Sequence, residues 1–196
     1  VHPTAVKLLD TAVELLETMS IDNIGIAEVL ERSGVSHGSL YHHFEDFPDL
    51  VEQAAVRRFE AGLTESIAIL SELLDATDAA DFRRQAEQVV VGLHSVGRRP
   101  YRMDRLAILG ASMGRPRLAD RVSAAQREHL EQQGALFAEF QSRGWMRRDL
   151  DAMAMSTFTS STYFGRTIDD VAGGVVDSDL WTEVAIRAIG AVLFDA

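Results

Sequence analysis

Residues Gly34–Phe44 read "GVSHGSLYHHF". They follow a short amphipathic segment, Ile26 to Ser33, and the two together read as helix, tight turn, helix. Gly34 suits the left-handed residue that ends the first segment, because glycine has no Cβ to clash there. Val35 is the apolar turn residue that plugs between the two helices. Ser36 can accept a hydrogen bond from a backbone amide two or three residues on, so it caps the second helix. Leu40 and Phe44 lie four apart and face the first helix. His37, Gly38, Ser39, Tyr41, His42 and His43 are left to face outward or sideways. Two helices joined in this way can place the second in the major groove of DNA.

Three imidazoles between Ser36 and Phe44 also raise the question of a metal site. His37 and His42 are five apart, a poor match to the i,i+4 spacing that puts two imidazoles on one helical face. The chain has no cysteine, so no thiolate adds a ligand. Neither a metal nor any other cofactor is expected. His43 is expected to pack internally beside Tyr41, and His37 and His42 to face DNA or solvent. Tyr41 is read as a phosphate contact through its hydroxyl. The alternative is a core aromatic of a small head.

Working outward, helix signals dominate. The four prolines (Pro3, Pro48, Pro100 and Pro116) each stand where a helix can begin. Apolar stripes at helical spacing predict helices from Pro3 to Met19, from Pro48 past Leu74, and from Asp81 to Val96. Others are expected over Tyr101 to Met113, Arg117 to Arg143, Asp149 to Arg166 and Asp179 to Phe194. The stretch "DDVAGGVVDSD" before the last helix reads as a loop by its glycines and aspartates. The chain is thus all-α, with about nine helices. A three-helix helix-turn-helix head, residues 1–47, precedes a long helix and a larger C-terminal bundle, residues 48–196.

The 196 residues are 46% hydrophobic, enough to build a real core in a small head and a larger bundle. The lack of cysteine excludes disulfides, thiolate metal sites and cysteine nucleophiles. No apolar run approaches the ~20 residues of a membrane span, and no signal-peptide pattern opens the chain. No paired-carboxylate, metal or nucleophile spacing stands out, so an enzyme is not expected. The net charge is −11. It disfavours nucleic-acid binding through bulk charge but leaves room for a local contact surface.

The longer stretch "GVSHGSLYHHFEDFPDLVEQA" resembles the end of the DNA-binding domain of TetR-type transcriptional regulators. Gly34, Val35, Ser36, Gly38, Ser39, Leu40, Tyr41, His43 and Phe44 carry the match. Upstream, "LLDTAVELLETMSIDNIGIAEVLERS" follows the family's first two helices without a gap. The resemblance covers roughly the first quarter of the chain. It implies a homodimer that reads palindromic operator DNA, with Gly25, Ser36, His37, Gly38, Ser39, Tyr41 and His42 at the interface. It implies a C-terminal helical domain that binds a small-molecule effector and dimerises through its last two long helices. Effector binding would respace the recognition helices and release the operator, the behaviour of a cytoplasmic, nucleoid-associated repressor.

Four residues depart from the family pattern. Gly25 stands where a capping threonine is common, Leu30 where a small residue is usual, His37 where a basic residue is usual, and Phe47 where a lysine is common. Charge departs too. Residues 1–50 hold two bases, Lys7 and Arg32, against nine acids. Positive charge would have to come from a segment ahead of Val1 or from protonated imidazoles. A second reading therefore stays open: a ligand-binding or protein-interaction module that no longer binds an operator.

An effector site inside the bundle would be mostly apolar with few polar anchors. His94, Tyr101, Met103, Met113, Phe137, Phe140, Met155 and Phe158 are its candidates, with plain core as the alternative for each. Arg98, Arg99, Arg102 and Arg105 form a basic cluster that either recognises an anion or lies on a solvated face. Phe158, Thr162, Trp181, Val184, Ala188, Ile189 and Val192 suit a dimer interface, with intramolecular packing as the alternative.

Overall fold

The computed structural model describes residues 2–194. Among these, every regular element is helical: α1 (Pro3–Leu15), α2 (Ile26–Ser33), α3 (His37–His43), α4 (Phe47–Glu72), α5 (Ala79–His94), α6 (Arg99–Ser112), α7 (Pro116–Ser142), α8 (Ala152–Gly165), α9 (Thr167–Val171) and α10 (Ser178–Leu193). Nine of them match the expected helices within a few residues. The tenth, α9, is a five-residue turn in a stretch partly read as a loop. No helix among the described residues is long and apolar enough to cross a membrane.

Helix starts follow their caps. Asp78, Asp151 and Asp177 each accept backbone amides at the head of α5, α8 and α10. These caps satisfy donors that the first turn cannot. At the other end, α1 stops at Leu15, short of Met19. Its continuation is wound by i→i+3 bonds from Glu17 to Glu14 and from Thr18 to Leu15, which tighten the chain beyond an α-helix.

The chain forms two compact units. One comprises the chain up to Gly62 together with Ala107–Ala125; the other comprises Leu63–Leu106 and the chain from Gln126 onward. The first unit packs α1, α2, α3 and the start of α4 around Leu8, Ala12, Leu15, Val29, Leu40 and Leu50, all essentially without solvent contact. The second unit has its core at Phe82, Phe137, Phe140, Met155, Ile189 and Leu193. There α10 lies along α5, and the Arg147 amide donates to the Leu193 carbonyl at 2.9 Å.

One buried ion pair fixes α9 within the second unit. Arg102, wholly buried, grips Asp170 with two parallel bonds of 2.5 and 3.0 Å. Its remaining nitrogen donates to the Ser95 carbonyl at 3.1 Å. Arg166 and Asp169, also buried, stand 3.8 Å apart beside it. These contacts explain the extra helical turn: Asp169 and Asp170 sit in its first turn, where the helix dipole favours acids. Gly173 and Gly174 then leave the helix at φ 90° and 77°.

Candidate nucleic-acid interface and ligand cavity

In the first unit, Gly34 takes φ 62° and ψ 25° at the end of α2. Ser36 then caps α3 by accepting from the Ser39 amide, and its hydroxyl lies 2.9 Å from that of Ser39. Leu40 and Phe44 are buried and hold α3 to its neighbours. Ser36, His37, Gly38, Tyr41 and His42 are exposed and Ser39 is half-buried, so the recognition-helix candidates share one accessible surface. Tyr41 is 49% exposed and stacks on His37, with ring centroids 4.9 Å apart, which removes the core reading. His43 does not pack beside Tyr41 as expected. It stacks on His2 at 4.7 Å and meets His42 edge-on at 5.0 Å. Burial, followed by repulsion from His2 and His42, lowers its pKa, so it supplies little charge near neutral pH.

Gly25 is the N-cap of α2 and offers no side-chain bond. Nothing lies within 4 Å of the position a Cβ would occupy there. Gly25→Thr should therefore restore a cap without strain and stabilise the head by a few tenths of a kcal/mol. A thermal melt of the variant checks this. Leu30 is half-buried at the edge of the head core rather than wedged inside it, and Phe47 packs against the same core.

The acidity of residues 1–50 has an answer that a linear count misses. Arginines from later in the chain lie against those acids within the same unit. Arg117 bonds Glu45, Asp46 and Glu52 at 3.0, 2.9 and 3.1 Å. Arg121 bonds Asp49 at 2.8 Å, Arg57 bonds Asp10 at 2.6 Å, and Arg115 bonds Asp22. The folded unit holds seven bases to twelve acids, a milder imbalance than residues 1–50 alone. The i,i+4 spacing of Arg117 and Arg121 was the available signal, but nothing local links it to acids some seventy positions earlier.

These pairs shift titrations. The Arg117 hydrogen bond holds Asp46 below the usual carboxylate range. Burial works to raise Asp49, but bonds from Arg121, Gln53 and the Glu45 amide outweigh it and lower the pKa. Both carboxyls thus bind protons more weakly folded than unfolded. The stability they confer is complete above the ordinary aspartate pKa of about 3.9 and is lost as pH falls through the lowered values. Arg117→Ala should reduce the melting temperature at neutral pH, and by progressively less as pH falls below the ordinary aspartate range. Melts of both proteins across that range test this.

The second unit contains a cavity of about 80 Å³, part of it open to solvent. Of the sequence candidates, His94, Phe137 and Phe140 line it. Tyr101, Met103, Met155 and Phe158 do not, and Met113 belongs to the other unit and is 90% exposed. Periodicity placed those residues on helices without saying which face turns inward. Residues that sequence reading missed are His129, Gln133, Thr159, Ser160 and Tyr163. His129, Gln133 and Phe137 form an i,i+4 stripe along α7, a signal present in the sequence. Burial, then the charge of Arg105, lowers His129 to a pKa of about 4, and burial likewise lowers His94 and raises Tyr163.

The basic cluster divides. Arg98 pairs with Glu65 at 2.7 Å, Arg102 is locked to Asp170, and Arg105 lines the cavity and donates to Gln126 at 2.5 Å. Arg102 and Arg105 are therefore buried groups, not part of a solvated face. Among the interface candidates, Ile189 turns inward and lines the cavity. Val184 is 66% exposed, Ala188 is exposed and Phe158 is 39% exposed. Thr162, Trp181 and Val192 are half-buried.

Residues 8–54 match the sequence profile of bacterial regulatory proteins of the tetR family. No curated protein matches the chain significantly. Solved structures with a similar fold include Salmonella enterica GusR, 16% identical, TM-score 0.70, with 97% of this chain and 95% of that one covered. A TetR-family transcriptional regulator from Streptomyces coelicolor is 22% identical, TM-score 0.58, with 96% and 93% covered. FadR from Bacillus subtilis, solved with stearoyl-CoA, is 14% identical, TM-score 0.65, with 94% and 96% covered. The helix-turn-helix of residues 8–54 is thus of the tetR-family type, and the all-helical fold around it is one that these solved structures share.

Proposed function

We propose that the protein is a homodimeric, operator-binding transcriptional repressor released by a small molecule held in the cavity of the second unit. The observation that carries this reading is the capped, exposed surface of α3 on a head several of whose acids pair with its own arginines. An acidic head with unmatched carboxylates would repel phosphate; one with paired carboxylates does so far less. A cavity lined by apolar groups and a few polar ones supports the effector role. That FadR of similar fold was solved with stearoyl-CoA supports it further. The exposed apolar residues Leu180 and Val184 on α10 support dimerisation. Effector and operator would each prefer a different conformation of the dimer, and their coupling would be reciprocal.

The test is a mobility shift of the purified protein on DNA flanking its own gene, at two salt concentrations and at pH 6 and pH 8. A shift that weakens with salt is expected, because phosphate contacts release counterions. No shift at low salt and pH 6 would overturn the repressor reading in favour of a module without operator binding.

A further inference from the structure

The cavity's polar side specifies more than the presence of a ligand. Gln133 is satisfied inside the protein: it donates to Thr159 at 3.4 Å and accepts from Ser160 at 2.7 Å. Besides Arg105, which donates to Gln126, the lining has Nε2 of His94, Nδ1 of His129 and the hydroxyl of Tyr163 as buried atoms with no partner in the protein. Their side chains are only 2%, 5% and 7% exposed.

The protonation of each can be assigned. Nδ1 of His94 lies 2.9 Å from the Val90 carbonyl, which can only accept, so Nδ1 carries the hydrogen. Nε2 of the neutral ring is then a lone pair, and the nearby Thr162 carbonyl does not meet hydrogen-bond geometry with it. The Leu63 backbone carbonyl near His129 favours a hydrogen on Nε2, which leaves Nδ1 as a second acceptor. Burial and neighbouring arginines keep both rings neutral. The Tyr163 hydroxyl keeps its proton, chiefly through burial. No aspartate or glutamate lines the cavity.

Ligand classes follow by elimination. A cation would face the arginines that already depress both histidines. A carboxylate would bring oxygen lone pairs against two nitrogen lone pairs, and the lining arginine, Arg105, already donates to Gln126. A purely apolar molecule would leave all three groups desolvated and unpaired, which is unfavourable. A hydroxyl satisfies the set, because it donates and accepts at once. The His94 and Tyr163 rings meet edge to face with centroids 6.1 Å apart, so their unpaired groups share one part of the cavity wall, where a single hydroxyl can donate to Nε2 and accept from the tyrosine. Around them, Phe82 and Phe140 at 4.7 Å and Phe137 and Phe140 at 6.4 Å offer aromatic contact.

We propose that the effector is a neutral, mainly apolar hydroxyl compound, a phenol or alcohol, whose O–H donates to Nε2 of His94 and accepts from the Tyr163 hydroxyl. This rests on the reading of the cavity as the effector site.

Calorimetric titration of the full chain with four probes on one apolar body tests it: 4-butylphenol, its methyl ether 4-butylanisole, 4-butylbenzoate and 4-butylbenzylamine. The phenol should bind at least ~10-fold more tightly than each of the others. In His94→Phe the advantage over the ether should vanish while the ether's own affinity holds. Tyr163→Phe, which preserves the ring, should show the same collapse and covers the case in which the first variant misfolds. Equal binding of phenol and ether overturns the hydroxyl assignment and leaves the effector cavity standing. Tightest binding of the benzoate or the amine overturns it in favour of a charged ligand. Binding of none of the four removes the cavity's effector role and this inference with it.

Discussion

Replacing Arg102 with methionine should destabilise the protein by about 3–5 kcal/mol, the cost of stranding a buried charge by removing its partner. For a chain of this size that is a fall in melting temperature of roughly 10 °C at fixed protein concentration. Arg102 has no solvent contact and makes two bonds to Asp170 and another to the Ser95 carbonyl. Methionine fills much of the volume but leaves the Asp170 carboxylate, 6% exposed, without its main counter-charge. The exposed Arg99 brings its guanidinium Nε only to 4.0 Å from the Asp170 carboxylate and cannot substitute for a bidentate grip. The double variant Arg102→Met with Asp170→Leu should recover more than half of the loss, because an apolar pair of similar volume removes the stranded charge. A double variant as unstable as the single one would show that the backbone bonds of Arg102, not its ion pair, hold α9.

Leu40→Ala should abolish operator binding, with a loss in head stability of about 2–5 kcal/mol. The helix α3 has seven residues, too few to stand alone in water, so packing must hold it. Only Leu40, fully buried, and Phe44 at its C-cap anchor it to the core. Losing one anchor leaves a cavity beneath the presented surface and frees the helix to fray. The mobility shift should weaken by at least ~100-fold, the equilibrium counterpart of a loss near 3 kcal/mol. Calorimetric binding in the second unit's cavity should stay unchanged in the same variant. An operator affinity within about threefold of the unaltered protein would mean that α3 does not need this anchor.

The fold was legible because its signals are local. Gly34, Ser36, Leu40 and Phe44 specify a turn, a cap and two anchors within eleven residues, and each occupies the predicted conformation. The helices of the bundle were equally visible as stripes. What local pattern could not supply was pairing across distance. The partners of Glu45, Asp46 and Asp49 lie beyond Pro116, and the partner of Asp170 lies on α6. The cavity suffered from the same gap. His94, Phe137 and Phe140 line it and Met113 lies in the other unit, because a helical stripe does not say where its helix crosses from one unit to the next. His129 and Tyr163 drew no attention, since nothing in their immediate sequence marks a polar residue as buried.

The arginine contacts of the head carry a consequence for transplantation. TetR-type heads suggest themselves as exchangeable cassettes, cut after the recognition helix and joined to a foreign sensing domain. Here Arg115, Arg117 and Arg121, which answer five acids of the head unit, come from α7 and the turn before it. A cassette cut near residue 50 would leave these counter-ions behind. A working chimera would have to carry a matching arginine triplet in its new host, which makes this head a two-part module rather than a portable one.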